Sequence, residues 1–383
     1  MAAVPPDRQR RLRSLTAGAD ATLTPPSAAP LLDLASNDYL GLSRHPAVGA
    51  AANAELAASG LGAGASRLVT GSRPVHEQLE AALAAWLGRP RVLLFPSGFQ
   101  ANIAAVVALA DRHSLVLADR LIHHSLLAGV RASGARLQRF RHNDPADLER
   151  CLLSARRRSP QGRLLVLCES IYSMEGSTAP LAALAALAAR HGAALRVDDA
   201  HALGLVGPGG RGLAHGLAEV ALVSGTFGKA FGSGGAVLAT DDLVADWLLQ
   251  SSGAFRYSTA LAPPLAAGAL AALELLATPE AAAARAGLLA RAARWRQALA
   301  AAGWPPPPGE GPIIPLLVGA SSRALALQQR LEQAGLLAVA IRPPTVPAGG
   351  ARLRLVLRQD LPRGTLPRLL AALGPPPPCP LPS

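Results

Sequence analysis

Between residues 91 and 240 the chain repeats a pattern of short apolar strands separated by helical segments. Strands that are apolar along their whole length are buried on both faces, which is typical of a mainly parallel sheet covered by helices. The pattern therefore predicts an α/β fold with helices on both faces of its sheet. In chain order, the predicted strands span residues 91–95, 115–118, 137–140, 164–169, 194–198, 220–224 and 236–239.

The pattern changes after residue 240, where long helices rich in Ala, Leu and Arg are followed by a smaller α+β pattern. The 383 residues are too many for one small domain, so we expect a large domain and a smaller one. The predicted parts are an N-terminal arm (1–45), a large domain (46–255), a small C-terminal domain with connecting helices (256–374) and a disordered proline-rich tail (375–383).

Composition and charge narrow the possible function classes. The formal net charge is +12, but the chain has no basic run interleaved with aromatic residues. The charge would favour acidic ligands, such as a coenzyme A phosphate or an acidic carrier protein, without indicating nucleic acid. No apolar run reaches membrane-spanning length, and the basic residues 1–13 lack the apolar stretch of a secretory signal.

The three cysteines, Cys151, Cys168 and Cys379, lack the spacing of a disulfide framework or a metal site. Sparse, unpaired cysteine is typical of proteins kept in a reducing cytosol. We therefore expect a cytoplasmic protein with no metal, no membrane and no nucleic-acid partner.

Lys229 is the only lysine in the chain, within a Lys+Arg count of 37. It lies in S-G-T-F-G-K-A-F-G (224–232), directly after a predicted strand. Arginine stays protonated in proteins, so it cannot replace lysine where an amine must lose its proton and attack a carbonyl. A lone lysine between glycines after a buried strand therefore indicates a Schiff-base nucleophile. From these residues alone, the alternative is a stray surface lysine in a chain rich in alanine and arginine.

Two further stretches fit a pyridoxal phosphate site built around that lysine. Asp198 ends a buried strand in V-D-D-A-H (197–201), where its carboxylate would hold a pyridine nitrogen protonated, and His201 could reach the ring hydroxyl. The stretch S-G-F (97–99) opens a helix whose amides, with the Thr226 hydroxyl, would bind a phosphate. Taken alone, Asp198 is better explained as a helix N-cap, and the serine of S-G-F could equally be only a cap.

Eight stretches in chain order, spread between residues 34 and 358, resemble the motifs of the α-oxoamine synthases. Each stretch is weakly specific by itself, whereas the ordered set is highly specific. These synthases are fold-type I pyridoxal phosphate enzymes, so the resemblance implies a mainly parallel mixed sheet in a large domain and a smaller α+β C-terminal domain. The stretches are S-N-D-Y-L-G (36–41), G-S-R-P-V-H-E-Q-L-E (71–80), F-P-S-G-F-Q-A-N (95–102), D-R-L-I-H-H-S-L (119–126), Y-S-M-E-G (172–176), V-D-D-A-H (197–201), T-F-G-K (226–229) and I-R-P-P-T-V-P-A-G (341–349).

The resemblance also assigns roles to residues around the cofactor. Lys229 would form the Schiff base and later remove the Cα proton of the amino acid. His123, which fits the family spacing after Asp119 better than His124 does, would stack on the cofactor ring. The other implied contacts are Asp198 at the pyridine nitrogen, His201 at the ring oxygen, Ser173 beside the ring, Gly98, Phe99 and Thr226 at the phosphate, and Ser258 and Thr259 at the phosphate of a neighbouring subunit, which implies a homodimer with shared sites.

On the substrate side, the resemblance implies Asn37 near the amino-acid carboxylate, Thr345 in the small domain and an N-terminal arginine. Arg11 is our choice for the last, although three other arginines lie within residues 8–13. The stretch R-P-P-T-V-P-A-G (342–349) most resembles the branch of the family that serves biotin synthesis. That branch joins L-alanine to a pimeloyl thioester carried on coenzyme A or on an acyl carrier protein.

Other readings of the function stay open from the sequence. A sister synthase would use glycine or serine with another acyl-coenzyme A, as in the 2-amino-3-ketobutyrate ligase, 5-aminolevulinate synthase and serine palmitoyltransferase types. A non-catalytic subunit on the same fold should lack the imine lysine, and a serine hydrolase at Ser97 would need a G-x-S-x-G turn that is missing. The chain departs from the family pattern at Ala202 and Leu203, which should alter packing, and in loop 62–68, which puts acyl-chain recognition in doubt.

Overall fold

The computed structural model describes residues 5–376, and its strands and helices follow the predicted alternation. The strands are β1 (Thr16–Ala17), β2 (Thr22–Thr24), β3 (Leu31–Asp33), β4 (Arg91–Phe95), β5 (Leu115–Asp119), β6 (Arg136–Phe140), β7 (Leu164–Glu169), β8 (Ala194–Asp198), β9 (Val220–Thr226), β10 (Ala236–Thr240), β11 (Ile313–Gly319), β12 (Leu336–Leu337), β13 (Val339–Ile341) and β14 (Ala351–Val356). The helices are α1 (Pro46–Ser59), α2 (Pro74–Leu87), α3 (Gly98–Leu109), α4 (His124–Ser133), α5 (Pro145–Arg158), α6 (Leu181–Arg190), α7 (Asp242–Ser251), α8 (Gly253–Arg256), α9 (Pro263–Leu276), α10 (Pro279–Ala301), α11 (Ser321–Gln333) and α12 (Thr365–Leu373).

A seven-stranded sheet in the order β4-β10-β9-β8-β7-β5-β6 forms the centre of the larger of two compact units, residues 42–172 and 178–282. β10 runs antiparallel to both of its neighbours, and the other pairs are parallel. Every residue of β7 is buried, and apolar side chains of the flanking helices complete the core on both faces. The predicted mixed, mainly parallel sheet is confirmed.

The carboxyl ends of the parallel strands meet at one edge of this sheet. Asp198, the last residue of β8, is in register with Glu169 of β7 on one side and with Ser224 of β9 on the other. α3 begins three residues after β4 ends, so its first turn lies at the same edge. Polar groups from distant parts of the chain therefore come together where open α/β sheets bind their ligands.

Lys229 lies in the tight connection between β9 and the antiparallel strand β10. Within this turn, Phe227 N donates to Gly235 O at 2.9 Å and Gly232 N donates to Lys229 O at 3.0 Å. Gly232 has φ +63°, and a Cβ atom there would lie 2.1 Å from Ser43 N, so a larger residue would displace the backbone. The turn that carries the lysine is therefore held in one conformation by its own hydrogen bonds and by close packing.

The smaller unit comprises residues 5–41, 173–177 and 283–376 of the described chain. It contains a sheet in the order β1-β2-β3-β12 and a second sheet in the order β11-β14-β13. Within the predicted smaller α+β part, β12 and β13 lie in different sheets although only Ala338 separates them. The chain changes sheets there because β12 pairs in parallel with β3, and β13 pairs antiparallel with β14.

The division into units differs from the predicted domain boundaries at two places. Residues 1–45 were expected to form a separate arm, but residues 5–41 belong to the smaller unit because β3 of this segment pairs with β12. Residues 256–282 were assigned to the small domain, but they belong to the larger unit because α9 packs against α1 and α2. In both cases the buried apolar face of the segment decides where it belongs.

Within the described residues, no single helix has the length and apolar composition needed to cross a membrane. Only α9 and α10 taken together, with a bend of 82° between them, pass that test. Cys151 and Cys168 are buried free thiols. Cys379 and residues 377–383 of the predicted disordered tail lie outside the described part of the chain.

Candidate active site

A cavity of about 210 Å³ opens at the carboxyl edge of the seven-stranded sheet. Its walls come from the ends of β7, β8 and β9, the first turn of α3, the segment before α4 and the β9–β10 turn. Seven of the cofactor residues predicted from the sequence line this one cavity: Gly98, Phe99, His123, Asp198, His201, Thr226 and Lys229.

Asp198 is a buried carboxylate, with 6% of its surface exposed. Its Oδ2 accepts a hydrogen bond of 2.6 Å from Asn102 Nδ2, and its Oδ1 accepts one of 3.0 Å from Ala200 N. Burial alone would raise the pKa of Asp198, but the Arg196 guanidinium, Lys229 and these hydrogen bonds hold it below its ordinary value. The carboxylate is therefore charged at neutral pH and can stabilise a positive charge in the cavity.

The first turn of α3 provides an anion site at the other end of the cavity. Ser97 is the N-cap of α3, and its Oγ accepts a hydrogen bond of 3.3 Å from Gln100 N, so the capping alternative for this serine is confirmed. The amides of Gly98 and Phe99 precede the first intrahelical hydrogen bond, which makes them donors for an anion. The dipole of α3 adds partial positive charge at the same place.

Thr226 ends β9 beside this helix terminus. Its Oγ1 donates to Gly235 O at 3.0 Å and accepts from Gly228 N at 3.2 Å. A phosphate held through this hydroxyl would require the hydrogen to rotate away from the Gly235 carbonyl. The amides of α3 need no such rearrangement, so they are the better-prepared part of the anion site.

Two histidines occur next to each other at the start of α4, and the structure gives them different environments. His123 lines the cavity and caps α4, with its Nδ1 accepting from Ser125 N at 3.3 Å. His124 lies beside Phe99, with 6.4 Å between the ring centroids. Burial lowers the pKa of His123, an effect that Asp198 opposes and Lys229 reinforces, so its imidazole is neutral at neutral pH.

Lys229 and His201 complete the cavity lining. The Lys229 side chain is half-buried, which leaves its amine accessible from the cavity, and His201 is buried at the end of the segment that follows β8. Leu203, one of the departures from the family pattern, packs behind this segment. A Cβ atom on Gly225 would lie only 2.3 Å from Leu203 Cδ2, so this departure is a matter of packing.

Several residues predicted to contact substrate or cofactor lie in the smaller unit. There, Arg354 Nη2 donates to Asn37 Oδ1 at 3.0 Å, and Arg354 Nε donates to Ser173 O at 2.6 Å. Thr345 Oγ1 accepts from Arg10 Nη2 at 3.1 Å. The structure thus brings Asn37 and Ser173 together around one buried guanidinium and places Thr345 next to an N-terminal arginine.

Arg11, our choice for the N-terminal arginine, is exposed, and its role stays a prediction. Two neighbouring arginines make the contacts of this segment: Arg10 with Thr345, and Arg13 with Glu332 at 2.5 Å. The geometry therefore favours Arg10 over Arg11 as the arginine beside the predicted substrate residue.

Ser258 and Thr259 were predicted to reach the phosphate of a neighbouring subunit. Ser258 Oγ accepts a short hydrogen bond from Gln100 Nε2 of the same chain, and Thr259 is exposed. Gln100 belongs to the first turn of α3, so Ser258 lies close to that turn of its own chain.

Sequence reasoning missed three polar residues that the structure places in contact with predicted site residues: Asn102, Arg196 and Arg354. Asn102 lies one turn after Gly98, a spacing that places both residues on the same face of α3. Arg196 is a lone charge inside the apolar strand A-L-R-V-D (194–198), and Arg354 alternates with buried leucines in R-L-R-L-V (352–356). A charge inside a buried strand was the signal available for both arginines.

No group of three His, Cys, Asp or Glu side chains within residues 5–376 has a geometry that could hold a metal ion. The polar groups of the cavity include an amine, the charged carboxylate of Asp198, two imidazoles and helix-terminal amides, besides Asn102, Glu169, Ser224 and Thr226. These groups match an aldehyde, a ring nitrogen, a ring oxygen and a phosphate, which are the functional groups of pyridoxal phosphate.

Comparison with known proteins agrees with this donor set. The family model of class I and II aminotransferases matches residues 29–373. The 8-amino-7-oxononanoate synthase of Gluconacetobacter diazotrophicus is 45% identical over 352 residues, which cover 90% of this chain and 87% of that protein.

Two solved structures extend the comparison to the fold. A serine palmitoyltransferase from S. paucimobilis, solved with a bound PLP–myriocin aldimine, is 27% identical, with a TM-score of 0.89 over 94% of this chain and 91% of that one. The 8-amino-7-oxononanoate synthase from Francisella tularensis is 27% identical, with a TM-score of 0.74 over 90% of this chain and 96% of that one.

Asp199, which follows the cavity carboxylate, predicts a pH-dependent stability. Burial raises its pKa to about 6. The folded chain therefore binds more protons than the unfolded chain between the ordinary carboxyl pKa and pH 6, so the free energy of unfolding falls as pH rises through this window. Asp199→Asn removes this titration and keeps an oxygen for Ala214 N, which donates to Asp199 Oδ2 at 3.1 Å. We expect the variant to gain about 1–3 kcal/mol relative to wild type on going from pH 4 to pH 7.

Thermal unfolding across that pH range checks this prediction. Asp242 is an exposed residue at the start of α7, so Asp242→Asn is the matched control. Its unfolding should depend on pH as in the wild type. Parallel curves for Asp199→Asn and wild type would contradict the titration of Asp199.

Proposed function

The chain belongs to the 8-amino-7-oxononanoate synthases, within the class I and II aminotransferase family, and from that membership we propose that it condenses L-alanine with a pimeloyl thioester. It is a pyridoxal phosphate-dependent acyltransferase of biotin synthesis. The products would be 8-amino-7-oxononanoate, carbon dioxide and free thiol. The observation that carries the proposal is 45% identity over 90% of the chain, together with a cavity whose donors match the cofactor.

Bound pyridoxal phosphate supplies an aldehyde that condenses with amines and a ring that accepts the electrons released at the substrate Cα. In our proposal Lys229 holds the aldehyde carbon, and its amine, once released, takes the Cα proton of alanine. Asp198 keeps the ring nitrogen positively charged, which its own charged state at neutral pH permits. Gly98 and Phe99 hold the phosphate with their amides.

We propose that His123 and His201 contact different parts of the electron-accepting ring. His201 would donate to the ring oxygen, and His123 would lie against the ring. Because the His123 imidazole is neutral, it can also donate a hydrogen bond to the carboxylate that leaves as carbon dioxide, without holding that carboxylate as a full ion pair.

Arg354 is our candidate for binding the amino-acid carboxylate. Arg354 is 7% exposed, and its guanidinium already contacts Asn37 and Ser173, the two residues that the family resemblance assigned to the substrate and the ring. A guanidinium binds a carboxylate through paired, charge-assisted hydrogen bonds, which fixes its orientation as well as its charge. Thr345 and Arg10 would lie on the acyl side of the substrate.

We propose a homodimer in the cytosol, in which Thr259 reaches the partner's phosphate. Ser258, predicted to do the same, instead contacts Gln100 in the first turn of α3 of its own chain. The pimeloyl group would arrive as a thioester of coenzyme A or of an acyl carrier protein. A sister synthase remains the competing function, since serine palmitoyltransferases share the fold with TM-scores up to 0.89. The solved structures do not separate the two activities, since the synthase from Francisella tularensis is also 27% identical, but the 45% identity to the Gluconacetobacter diazotrophicus synthase favours alanine.

The substrate proposal is tested by thiol release from purified enzyme. Alanine, glycine and serine would each be offered with pimeloyl-coenzyme A, pimeloyl-acyl carrier protein, acetyl-coenzyme A and palmitoyl-coenzyme A. We expect alanine with a pimeloyl donor to have a kcat/KM at least about 100-fold above the other pairs. Faster turnover of glycine or serine with another donor would assign the chain to a sister activity.

Lys229 offers an unusually clean test of the covalent step because the chain has no other lysine. Borohydride reduction of the holoenzyme should leave one pyridoxyl group, located by mass spectrometry on the peptide that contains Lys229. Lys229→Ala should lose this adduct and lower kcat by about 10⁴-fold or more, with an unchanged circular dichroism spectrum. An adduct elsewhere, or turnover within tenfold of wild type, would remove the basis of the proposed chemistry.

Arg354→Gln should raise KM for alanine by roughly 10- to 100-fold, because a charged hydrogen bond to a carboxylate contributes about 1.5–3 kcal/mol. KM for the pimeloyl donor should change far less. Arg352 lies on the same strand as Arg354 and forms a 3.1 Å ion pair with Glu175. Arg352→Gln is therefore the control and should leave KM for alanine near wild type. Equal effects of both variants on both KM values would mean that Arg354 is only structural.

A further inference from the structure

Asn102 lies at the centre of a buried hydrogen-bond network behind the cavity and is 4% exposed. Its Oδ1 accepts from Arg196 Nη2, in a short hydrogen bond, and from Ser224 Oγ at 3.0 Å. Its Nδ2 donates to Asp198 Oδ2 at 2.6 Å and to Ser125 Oγ at 2.8 Å. All the hydrogen-bonding groups of one amide side chain are therefore used.

Two buried charges fix which way this amide points. A guanidinium can only donate hydrogen bonds, and an ionised carboxylate can only accept them. Turning the amide over would place the Asn102 oxygen against Asp198 and the Asn102 N–H groups against Arg196, which is buried with no exposed surface. The observed orientation is the one that satisfies both charges, so the Asn102 N–H that faces Ser125 is always a donor.

The donor–acceptor direction fixed at Asn102 continues through Ser125 to His123, the histidine that lines the cavity. Ser125 Oγ accepts from the Asn102 amide, so its own hydrogen is available for His123 Nδ1, which lies 2.7 Å away. The backbone N–H of Ser125, which can only donate, also lies 3.3 Å from His123 Nδ1. The backbone contact requires an unprotonated Nδ1, so the Ser125 hydroxyl donates to the same atom, and a neutral imidazole then carries its single proton on Nε2.

We propose that Asn102 and Ser125 are positioning residues that hold His123 in the tautomer with its proton on Nε2. The surroundings of His123 favour the neutral ring: burial lowers its pKa and Asp198 opposes this, but Lys229, His124 and Arg196 lower the pKa further. Resting on the proposed function, the inference adds that Nε2–H is the group offered to the departing carboxylate. Asn102 thereby sets the state of two cofactor-contacting residues, since the same Nδ2 donates to Asp198.

The tautomer can be measured by ¹⁵N NMR on the full-length chain labelled in histidine, with and without added pyridoxal phosphate. His123→Gln identifies the resonances of His123. In the wild type, we expect the shift of a protonated Nε2 and an unprotonated Nδ1 above the pKa of the ring. A wild-type ring protonated on Nδ1 would overturn the proposal directly.

Asn102→Asp reverses the predicted direction of the network. A carboxyl group at this position lies against Asp198 as well as Arg196, so the two carboxyl groups share one proton between them. The oxygen near Ser125 then accepts from Ser125 Oγ, so His123 should move toward the tautomer with its proton on Nδ1. Adding Ser125→Ala removes the hydroxyl that carries this signal and should return His123 to the Nε2 form. Retention of the Nε2 form in Asn102→Asp alone would overturn the relay.

Ser125→Ala alone keeps the inference testable if Asn102→Asp does not fold. Loss of a hydrogen bond to neutral Nδ1 makes protonation easier, so the NMR titration midpoint of His123 should rise. Ser133→Ala, at the far end of the same helix, where its Oγ donates to Val130 O, should leave the midpoint unchanged. A midpoint equal to or below wild type in Ser125→Ala would contradict the relay. Because no substrate is present, these results are independent of which substrates the enzyme uses.

Discussion

The cavity depends on one buried carboxylate whose charge must be compensated inside the protein. Asp198 faces Arg196, two residues earlier on β8, with 3.9 Å between Oδ2 and Nη1, and it accepts hydrogen bonds from Asn102 and Ala200. These partners come from β8, from α3 and from the segment after β8. Removing one member of a buried ion pair typically costs about 3–5 kcal/mol, because the remaining charge is left unpaired. The contacts that compensate the charge of Asp198 therefore fix the geometry of the site and stabilise the sheet at the same time.

The sheet topology explains how a small number of residues can form the polar lining of the cavity. The parallel strands bring Glu169, Asp198 and Ser224 to one edge in register, without help from loops. The antiparallel strand β10 then makes the chain turn back at that same edge, and the turn carries Lys229 into the cavity that Asp198 lines. A rigid sheet edge and a tightly hydrogen-bonded turn are the kinds of support that hold reacting groups within a few tenths of an ångström.

The sheet was predictable because apolar strands and helical spacers leave a local pattern, and because Asp198, Thr226 and Lys229 lie at or just beyond strand ends. Contacts between distant segments were not. Asn102 and Asp198 are separated by 96 positions, and no local period relates them. The short strands β1 and β2 carry no alternation that separates them from a loop, since the pairing of β1 with β2 and of β2 with β3 decides their conformation. The boundary at residues 256–282 failed for the same reason, as packing of α9 on α1 and α2 is visible only in three dimensions.

Arg196 also limits how strongly Asp198 can stabilise a positive charge on a ligand. A guanidinium does not lose its proton in a protein, so the carboxylate is shared permanently with one cation. A second cation gains less from such a carboxylate than from an unpaired one, because the two positive charges repel each other in a medium of low dielectric constant. The Asn102 bond and the Arg196 contact both involve Oδ2, whereas Oδ1 accepts only the Ala200 amide among the contacts described here. A donor that approaches Oδ1 would therefore meet the carboxylate on the side less occupied by Arg196, which makes the proposed contact of Asp198 with the cofactor compatible with a buried arginine.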